Sequence, residues 1–289
     1  MIEETKMQLS IIIVNYNSRS LIEQCLVSIN KALFGINTEV IIVDNNSNDG
    51  SKEYLPPKFT GVKFIFNIEN VGFSKACNQG FEISSGNYIL FLNPDTILSE
   101  TCLTDCLLFF KTHADAGALG VRMLDDKGNF LKESKRGLPS PSTSFYKLFG
   151  LAAVFPGSKI FAKYYLGHLP ENENNPVEIL SGAFIMIRRE VFEKTKGFDE
   201  DFFMYGEDID LSFRITQLGY KNYYLGKISV THSKGGSTTY NYKRVRDFYD
   251  AMKLFVKKHY GKKPALYLLF LQAGISFRKM LAMIRLFFR

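Results

Sequence analysis

Cysteine is scarce. Cys25, Cys77, Cys102 and Cys106 are the only four in 289 residues, too few and too scattered for a disulfide framework, and no CxxC pair is present to suggest a zinc site. Cys102 and Cys106, four apart in an expected helix, read as core residues, and reduced thiols are the default. A secretory signal pattern is also missing, because Met1-Ile-Glu-Glu is acidic and no apolar stretch precedes Ser10. The longest apolar run, Ala265 to Phe277, is broken by Gln272 and Ser276 and falls short of the roughly 20 residues a bilayer span needs. No GxGxxG follows the first expected strand, which discounts a nicotinamide-dependent oxidoreductase. The loop Asn15–Ser20 offers Arg19 and no glycine, a poor cradle for triphosphate, which counts against a sugar nucleotidyltransferase.

With 46% hydrophobic and 22% charged residues, the chain is neither disordered nor fibrous, and it is long enough for one large domain or two small ones. Its charge is unevenly placed. From Lys243 to the end, 12 Lys and Arg face 2 Asp, a net of +10, while the whole chain carries +7, so residues 1–242 carry −3. A slightly acidic body does not suit nucleic acid. A basic tail rich in Leu, Phe and Met suits an anionic membrane surface, or a helix docked on the domain or on the second subunit of a homodimer.

Aliphatic runs predict buried strands at Ser10–Asn15, Glu39–Asp44, Val62–Phe66, Tyr88–Leu92, Gly117–Val121 and Glu178–Arg188, with short strands at Tyr223–Leu225 and Ile228–His232. Helices are expected after a capping box at Ser20 and Glu23, over Phe73–Ser84 with Ala76 and Gly80 as small packing positions, over Ser99–Lys111, and over Asp208–Leu218 closed by Gly219. Two basic helices, Tyr242–His259 and Pro264–Arg289, follow. Residues 138–176 read as long loops or short helices crossing one face. The alternation predicts βαβ units and a mostly parallel sheet, with ligands at the carboxyl ends of its strands. Three polar clusters fall at such ends: Asn15-Tyr16-Asn17, Asp44-Asn45-Asn46 and Asn93-Pro94-Asp95.

Each cluster admits two readings. Asp95 can hold a divalent cation on a diphosphate, or cap its own turn. Asp44 can meet a nucleoside, or close an Asx turn. Asn15 and Asn17 can present backbone donors with Tyr16 stacking on a base, or simply connect strand to helix. Asn70-Val71-Gly72 before a helix, with Lys75 and Asn78 on its first turns, can admit a phosphate. Tyr205-Gly206-Glu207-Asp208 places two acids at a helix start, where Asp208 can serve as a base or merely complement the dipole. His232, beside Gly235-Gly236, can be a metal ligand or structural.

In order and spacing these pieces resemble the inverting glycosyltransferases of family two, with their GT-A nucleotide-sugar fold. The motifs are Ile13-Val14-Asn15-Tyr16-Asn17, Val43-Asp44-Asn45-Asn46-Ser47, Asn70-Val71-Gly72-Phe73, Leu92-Asn93-Pro94-Asp95, Leu180-Ser181-Gly182-Ala183, Gly197-Phe198-Asp199-Glu200 and Phe203-Met204-Tyr205-Gly206-Glu207-Asp208, then Arg214 and His232. The subgroup resembled is that of bacterial rhamnosyltransferases building surface polysaccharides.

The resemblance implies an α/β GT-A (Rossmann-like) domain over residues 1–240. Its nucleotide-sugar half covers about 1–125 and its acceptor half about 126–240, and a basic amphipathic helical tail occupies 241–289. It implies Asp208 as catalytic base. It implies donor contacts from Asn15, Tyr16, Asn17, Asp44, Asn70, Gly72, Lys75, Asn93, Asp95 and Arg214, the last facing the diphosphate or supporting the acid cluster. Acceptor contacts would come from Ser181, Gly182 and Glu207, and Asp95 and His232 would bind Mg2+ or Mn2+. Asn93 stands where the family's metal motif has its first acid. The expected partners are a nucleotide sugar, best matched by dTDP-rhamnose, and a lipid-linked saccharide. The expected place is the cytoplasmic face of the membrane, bound peripherally through the tail and through Lys257, Lys258, Lys262 and Lys263. A UDP-sugar donor and a non-catalytic nucleotide-sugar-binding module are the alternatives.

Overall fold

The aliphatic runs form the middle of one nine-stranded sheet. In the computed structural model, which describes residues 8–33, 35–140, 142–143, 146, 150–233 and 241–287, strands β1 (Leu9–Asn15), β2 (Thr38–Asp44), β3 (Val62–Phe66) and β4 (Tyr88–Leu92) pair in parallel in the order β3-β2-β1-β4. The sheet continues as β8 (Phe184–Arg188), β6 (Ala116–Leu124) and β9 (Lys221–His232), with β8 antiparallel to both neighbours and β9 parallel to β6. The outer edge of the long β9 carries two short antiparallel strands, β7 (Asn174–Val177) near its start and β5 (Thr96–Leu98) at its end. Strands from both halves of the sequence thus interleave in one sheet, parallel on its N-terminal side and mixed beyond β4.

The central strands are aliphatic throughout because both faces are covered. Ile11 and Ile13 pack with Ile22 and Leu26 of α1 (Arg19–Ala32), while Ile12 and Val14 face Ala76 and Cys77 on the opposite side. The helix carrying that second pair is α3 (Phe73–Glu82). It sits so close that a Cβ on Gly80 would lie 2.6 Å from Ile12 Cγ2, which explains the small residues of its inner face. Cys102 and Cys106 are free and buried in α4 (Cys102–Thr112), as core residues.

Several local expectations are revised. The Ser20–Glu23 capping box does not form: Ser18 sits at the cap without a side-chain bond, and Glu23 pairs with Lys58. A helix absent from the sequence reading, α2 (Ser51–Lys58), carries Pro56 and Pro57 inside it, residues that normally argue against helix. The strand expected over Glu178–Arg188 begins only at Phe184, because Leu180–Ala183 loops outward to meet an acidic helix. The two short strands near 223–232 are one strand interrupted by a register shift opposite Val121 and Arg122. Residues 138–176 contain a helical turn, α5 (Leu151–Val154), and a 3-10 turn at Lys163–Tyr165. A short α6 (Arg189–Lys194) follows β8, and the acidic helix is α7 (Glu207–Gln217), followed by Gly219 at φ +86°.

The basic tail splits in two. Its first helix, α8 (Tyr242–Tyr260), is docked on the domain, with Phe255 and Ala251 buried against Ile179, Phe202 and Ile209. Lys258 is not free for headgroups as expected, since it pairs with Asp199 at 2.5 Å and Asp201 at 2.6 Å. The second helix, α9 (Ala265–Phe287), leans on α8 through the Lys279–Asp250 pair and the buried Leu271. It runs past Phe277, where the apolar run was expected to end. At 23 residues with a mean hydropathy of 1.3 it is long and apolar enough to cross a membrane by length and composition. Leu266, Leu269, Phe270, Phe277, Met280 and Ile284 are exposed along it at helical spacing.

Candidate active site

The carboxyl ends of β1 and β2 are held together by side chains. Asn15, fully buried, donates from Nδ2 to Asp44 Oδ2 at 2.7 Å and to Ser47 at 3.2 Å, and its Oδ1 accepts from the Ser18 N–H. Asp44 Oδ1 accepts from the Ser47 N–H at 2.8 Å. Asn17, at φ +55°, donates its own N–H to Ser47 and accepts from the Asn48 N–H at 2.8 Å. The parallel register pairs Asn15 with Asp44, so the latch follows directly from strand pairing. Tyr16 projects from it, 46% exposed.

The next strand end is built differently. Asn93-Pro94-Asp95-Thr96 is a turn closed by the Thr96 N–H on the Asn93 carbonyl, and it leads straight into β5. The β5–β9 register sets Thr96 opposite His232, and the Ser233 N–H donates to the Asp95 carbonyl at 3.0 Å. Asp95 and His232, 137 positions apart in sequence, therefore meet with Oδ1 and Nε2 3.2 Å apart. No hydrogen bond forms between them. Asp95 Oδ1 and both His232 ring nitrogens are buried without a hydrogen-bond partner among the described residues. Orphaned carboxylate and imidazole atoms facing one another are donors suited to a divalent cation. Among the described residues no group of three or more His, Cys, Asp or Glu is present, so the protein would supply two ligands and leave the rest to water or substrate oxygens. Gly235 and Gly236 beside His232 lie outside the described residues.

The acid pair adjoins this turn. Asn93 donates its N–H to the Ala183 carbonyl, and the neighbouring Gly182 N–H donates to Asp208 Oδ2 at 3.1 Å. Ser181, partly buried, closes the loop by accepting from the Phe184 N–H. Asp208 is also ion-paired with Arg136, whose guanidinium donates to the Leu180 carbonyl as well. Burial works against the Arg136 charge, but Asp208 and Tyr164 more than offset it, and its pKa is raised. Burial, and then the neighbouring Asp208, push the Glu207 carboxyl up to about 8. Glu207 Oε2 is buried with no partner. Just before the helix Tyr205 sits at φ +70°, a conformation costly for a bulky residue, and it feeds Gly206 at φ +82°.

Residues 10–196 match the family model described as glycosyl transferase family 2. The chain belongs to glycosyl transferase family 2. Among its curated relatives is N-acetylglucosaminyl-diphospho-decaprenol L-rhamnosyltransferase of Mycobacterium tuberculosis, 28% identical over 249 residues, covering 80% of this chain and 77% of that protein. Rhamnosyltransferase WbbL of Escherichia coli is 24% identical, over 66% of this chain and 72% of its own. In fold the chain is similar to the mannosyltransferase PcManGT of Pyrobaculum calidifontis, solved with GDP-Man and Mn2+, with a TM-score of 0.61 at 17% identity over 96% of this chain and 72% of that one. It is similar as well to TarS of S. aureus solved with UDP, with a TM-score of 0.58 at 20% identity over 86% and 64%.

In this family-2 glycosyltransferase hydrogen bonds join Asn15, Asp44, Asn70 and Gly72 into one group and Asn93, the Gly182–Ala183 turn and Asp208 into another, so several of the expected site residues have internal partners. Asn70 accepts from the Gly72 N–H, and Asn45 reaches the Gly72 carbonyl, which ties that loop to the Asn15–Asp44 latch. Gly72 is also closely approached by protein, since a Cβ there would sit 2.6 Å from the Phe203 carbonyl oxygen. Lys75 is exposed on the first turn of α3. Arg214 is paired with Asp210 of the acidic helix. It holds Asp210 Oδ2 through Nε and Nη2 and the Thr195 and Gly197 carbonyls through Nη1. Burial opposes the Asp210 charge, but His259 of α8 at 2.6 Å and Arg214 hold its pKa below the usual carboxylate range. Arg136 is the residue missed by sequence reasoning. A single arginine before an irregular stretch carries no local signal, and only the fold brings it to Asp208.

Proposed function

We propose that the protein transfers a sugar, with inversion, from a nucleotide donor to a hydroxyl of a lipid-linked saccharide in bacterial surface-polysaccharide synthesis. Rhamnose from a dTDP donor is the best match, since rhamnosyltransferases stand among its relatives. The observation that carries the reading is the Asp95–His232 pair, with its unpartnered buried atoms, one short loop away from the Glu207–Asp208 pair. One site suits the charge of a diphosphate and the other suits a proton.

Asp95 and His232 would hold Mg2+ or Mn2+, which when bound supplies positive charge to the departing diphosphate. Tyr16 would lie over the base, Asp44 would accept from the nucleoside through its remaining lone pairs, and Lys75 would approach the phosphates. Asp208 Oδ2 accepts the acceptor's hydroxyl proton as that oxygen bonds to the anomeric carbon and the sugar–phosphate bond breaks on the opposite face. Arg136 and the Gly182 N–H keep this carboxylate aimed at the loop. Glu207, neutral below about pH 8, would donate a hydrogen bond to the acceptor. The exposed stripe of α9 would lie in the interface of the cytoplasmic membrane beside Lys262 and Lys263.

Asp208→Asn tests the reading. Transfer should fall by about 10³-fold, the scale of a lost general base, with nucleotide-sugar affinity within about threefold. Transfer at the wild-type rate would remove Asp208 from the chemistry.

A further inference from the structure

One cavity among the described residues lies away from the strand ends. It lies between α8, α9 and residues Pro139, Ser140, Ser142, Thr143 and Tyr146, with a volume of about 700 Å³. Tyr146, Phe248, Met252, Phe270 and Ile275 form much of its wall, and Arg278 is the one charged residue among the described ones that line it. That size falls within the roughly 300–1,000 Å³ of small-molecule sites, and a wall this apolar suits a hydrocarbon.

Two connections fix the occupant. Tyr164 lines the cavity and is a hydrogen-bonding neighbour of Arg136, which is paired with Asp208, so the cavity stands two side chains from the proposed base. At the other side Phe270 belongs both to the wall and to the exposed apolar stripe of α9. A molecule reaching from a membrane to Asp208 would pass hydrocarbon first and charge second. Arg278, on the cavity wall, offers a cation to a phosphate. We propose that this cavity is the subsite for the isoprenoid chain of the lipid-linked acceptor, holding the units next to its diphosphate. The proposal rests on the lipid-linked acceptor reading above and adds where the lipid binds.

Gly274 offers a clean probe, since it lines the cavity and a Cβ there meets nothing within 4 Å. Gly274→Phe fills the space without touching Asp95, His232 or Asp208, and Gly274→Leu is a smaller second variant. The full-length chain, in vesicles, is photolabelled with a polyisoprenyl diphosphate-linked N-acetylglucosamine bearing a diazirine in its first isoprene units. Adducts in the wild type should map to α8 and α9 residues facing the cavity. Labelling should fall at least tenfold in Gly274→Phe and less in Gly274→Leu. The KM for this acceptor should rise at least tenfold while the KM for an octyl-linked acceptor stays unchanged. Adducts elsewhere, labelling indifferent to both variants, or equal displacement by phosphatidylglycerol would overturn the proposal, the last by making the cavity a seat for membrane acyl chains. Cavity labelling without sugar transfer from any donor would instead overturn the transferase reading and leave the subsite standing.

Discussion

Two polar clusters at neighbouring strand ends look alike in sequence and are opposite in structure. At β1 and β2, every side-chain polar atom of Asn15 and Asp44 has a protein partner. At β5 and β9, Asp95 Oδ1 and both His232 nitrogens have none among the described residues, and neither has Glu207 Oε2. A buried polar atom left unpaired costs about 1–3 kcal/mol, so a fold that keeps several in one neighbourhood holds them for something outside the protein. The first cluster shapes a rim and the second is where bonds would change. The tail repeats the contrast: α8 is paired to the domain through Lys258 and His259, while α9 keeps its apolar stripe exposed.

The strongest way to break the comparison is to exchange the consequences of mutation. Asp95→Asn and His232→Ala should each lower cation-dependent release of nucleoside diphosphate by about 100-fold, at the upper end of losses seen on disturbing metal sites, with thermal stability unchanged or raised. A Mn2+ titration beside a melting curve reads both. Asn15→Ala should do the reverse, costing about 2 kcal/mol in urea unfolding because Asp44 loses a buried donor, with a smaller effect on kcat than Asp95→Asn. If Asn15→Ala stays fully stable, the latch is not one.

Smaller effects sharpen the picture. Phe277→Ser and Ile284→Ser should each weaken binding to anionic vesicles by about tenfold, in line with the loss of one buried apolar side chain, and leave melting unchanged; the same change at Phe255 in α8 should unfold the protein. Glu207 gives a pH signature. Its carboxyl titrates at about 8 in the native state and near 4.5 in the unfolded one, so between those values the native state holds the extra proton. Stability therefore falls as pH rises from about 5 to 8, and Glu207→Gln should flatten that slope in denaturant titrations.

Much of the fold was legible because continuous aliphatic strands and Gly-bounded helices leave strong local patterns. Strand β5 was hidden by its three residues and α2 by two prolines. Strand β8 was overestimated, since Ile179 and Leu180 are as apolar as a strand yet loop out so that Gly182 can reach Asp208. For the candidate site, the polar clusters at strand ends were legible in the residues, while the roles expected of them came through resemblance. Asp95 and His232 are joined by a β-register that no short-range pattern encodes, and Arg136 by an ion pair across 72 positions. Docking of α8 on the domain was one of the readings open for the tail; Lys258, read as facing lipid, faces Asp199 and Asp201 instead, and His259 reaches Asp210.

The most direct test of the central claim is nucleoside diphosphate release by the wild-type protein across a panel of nucleotide sugars, with and without Mn2+ or Mg2+. The account predicts slow, cation-dependent turnover of one donor, foremost a dTDP-sugar, lost in His232→Ala. Failure to bind any nucleotide sugar, with or without cation, would contradict it.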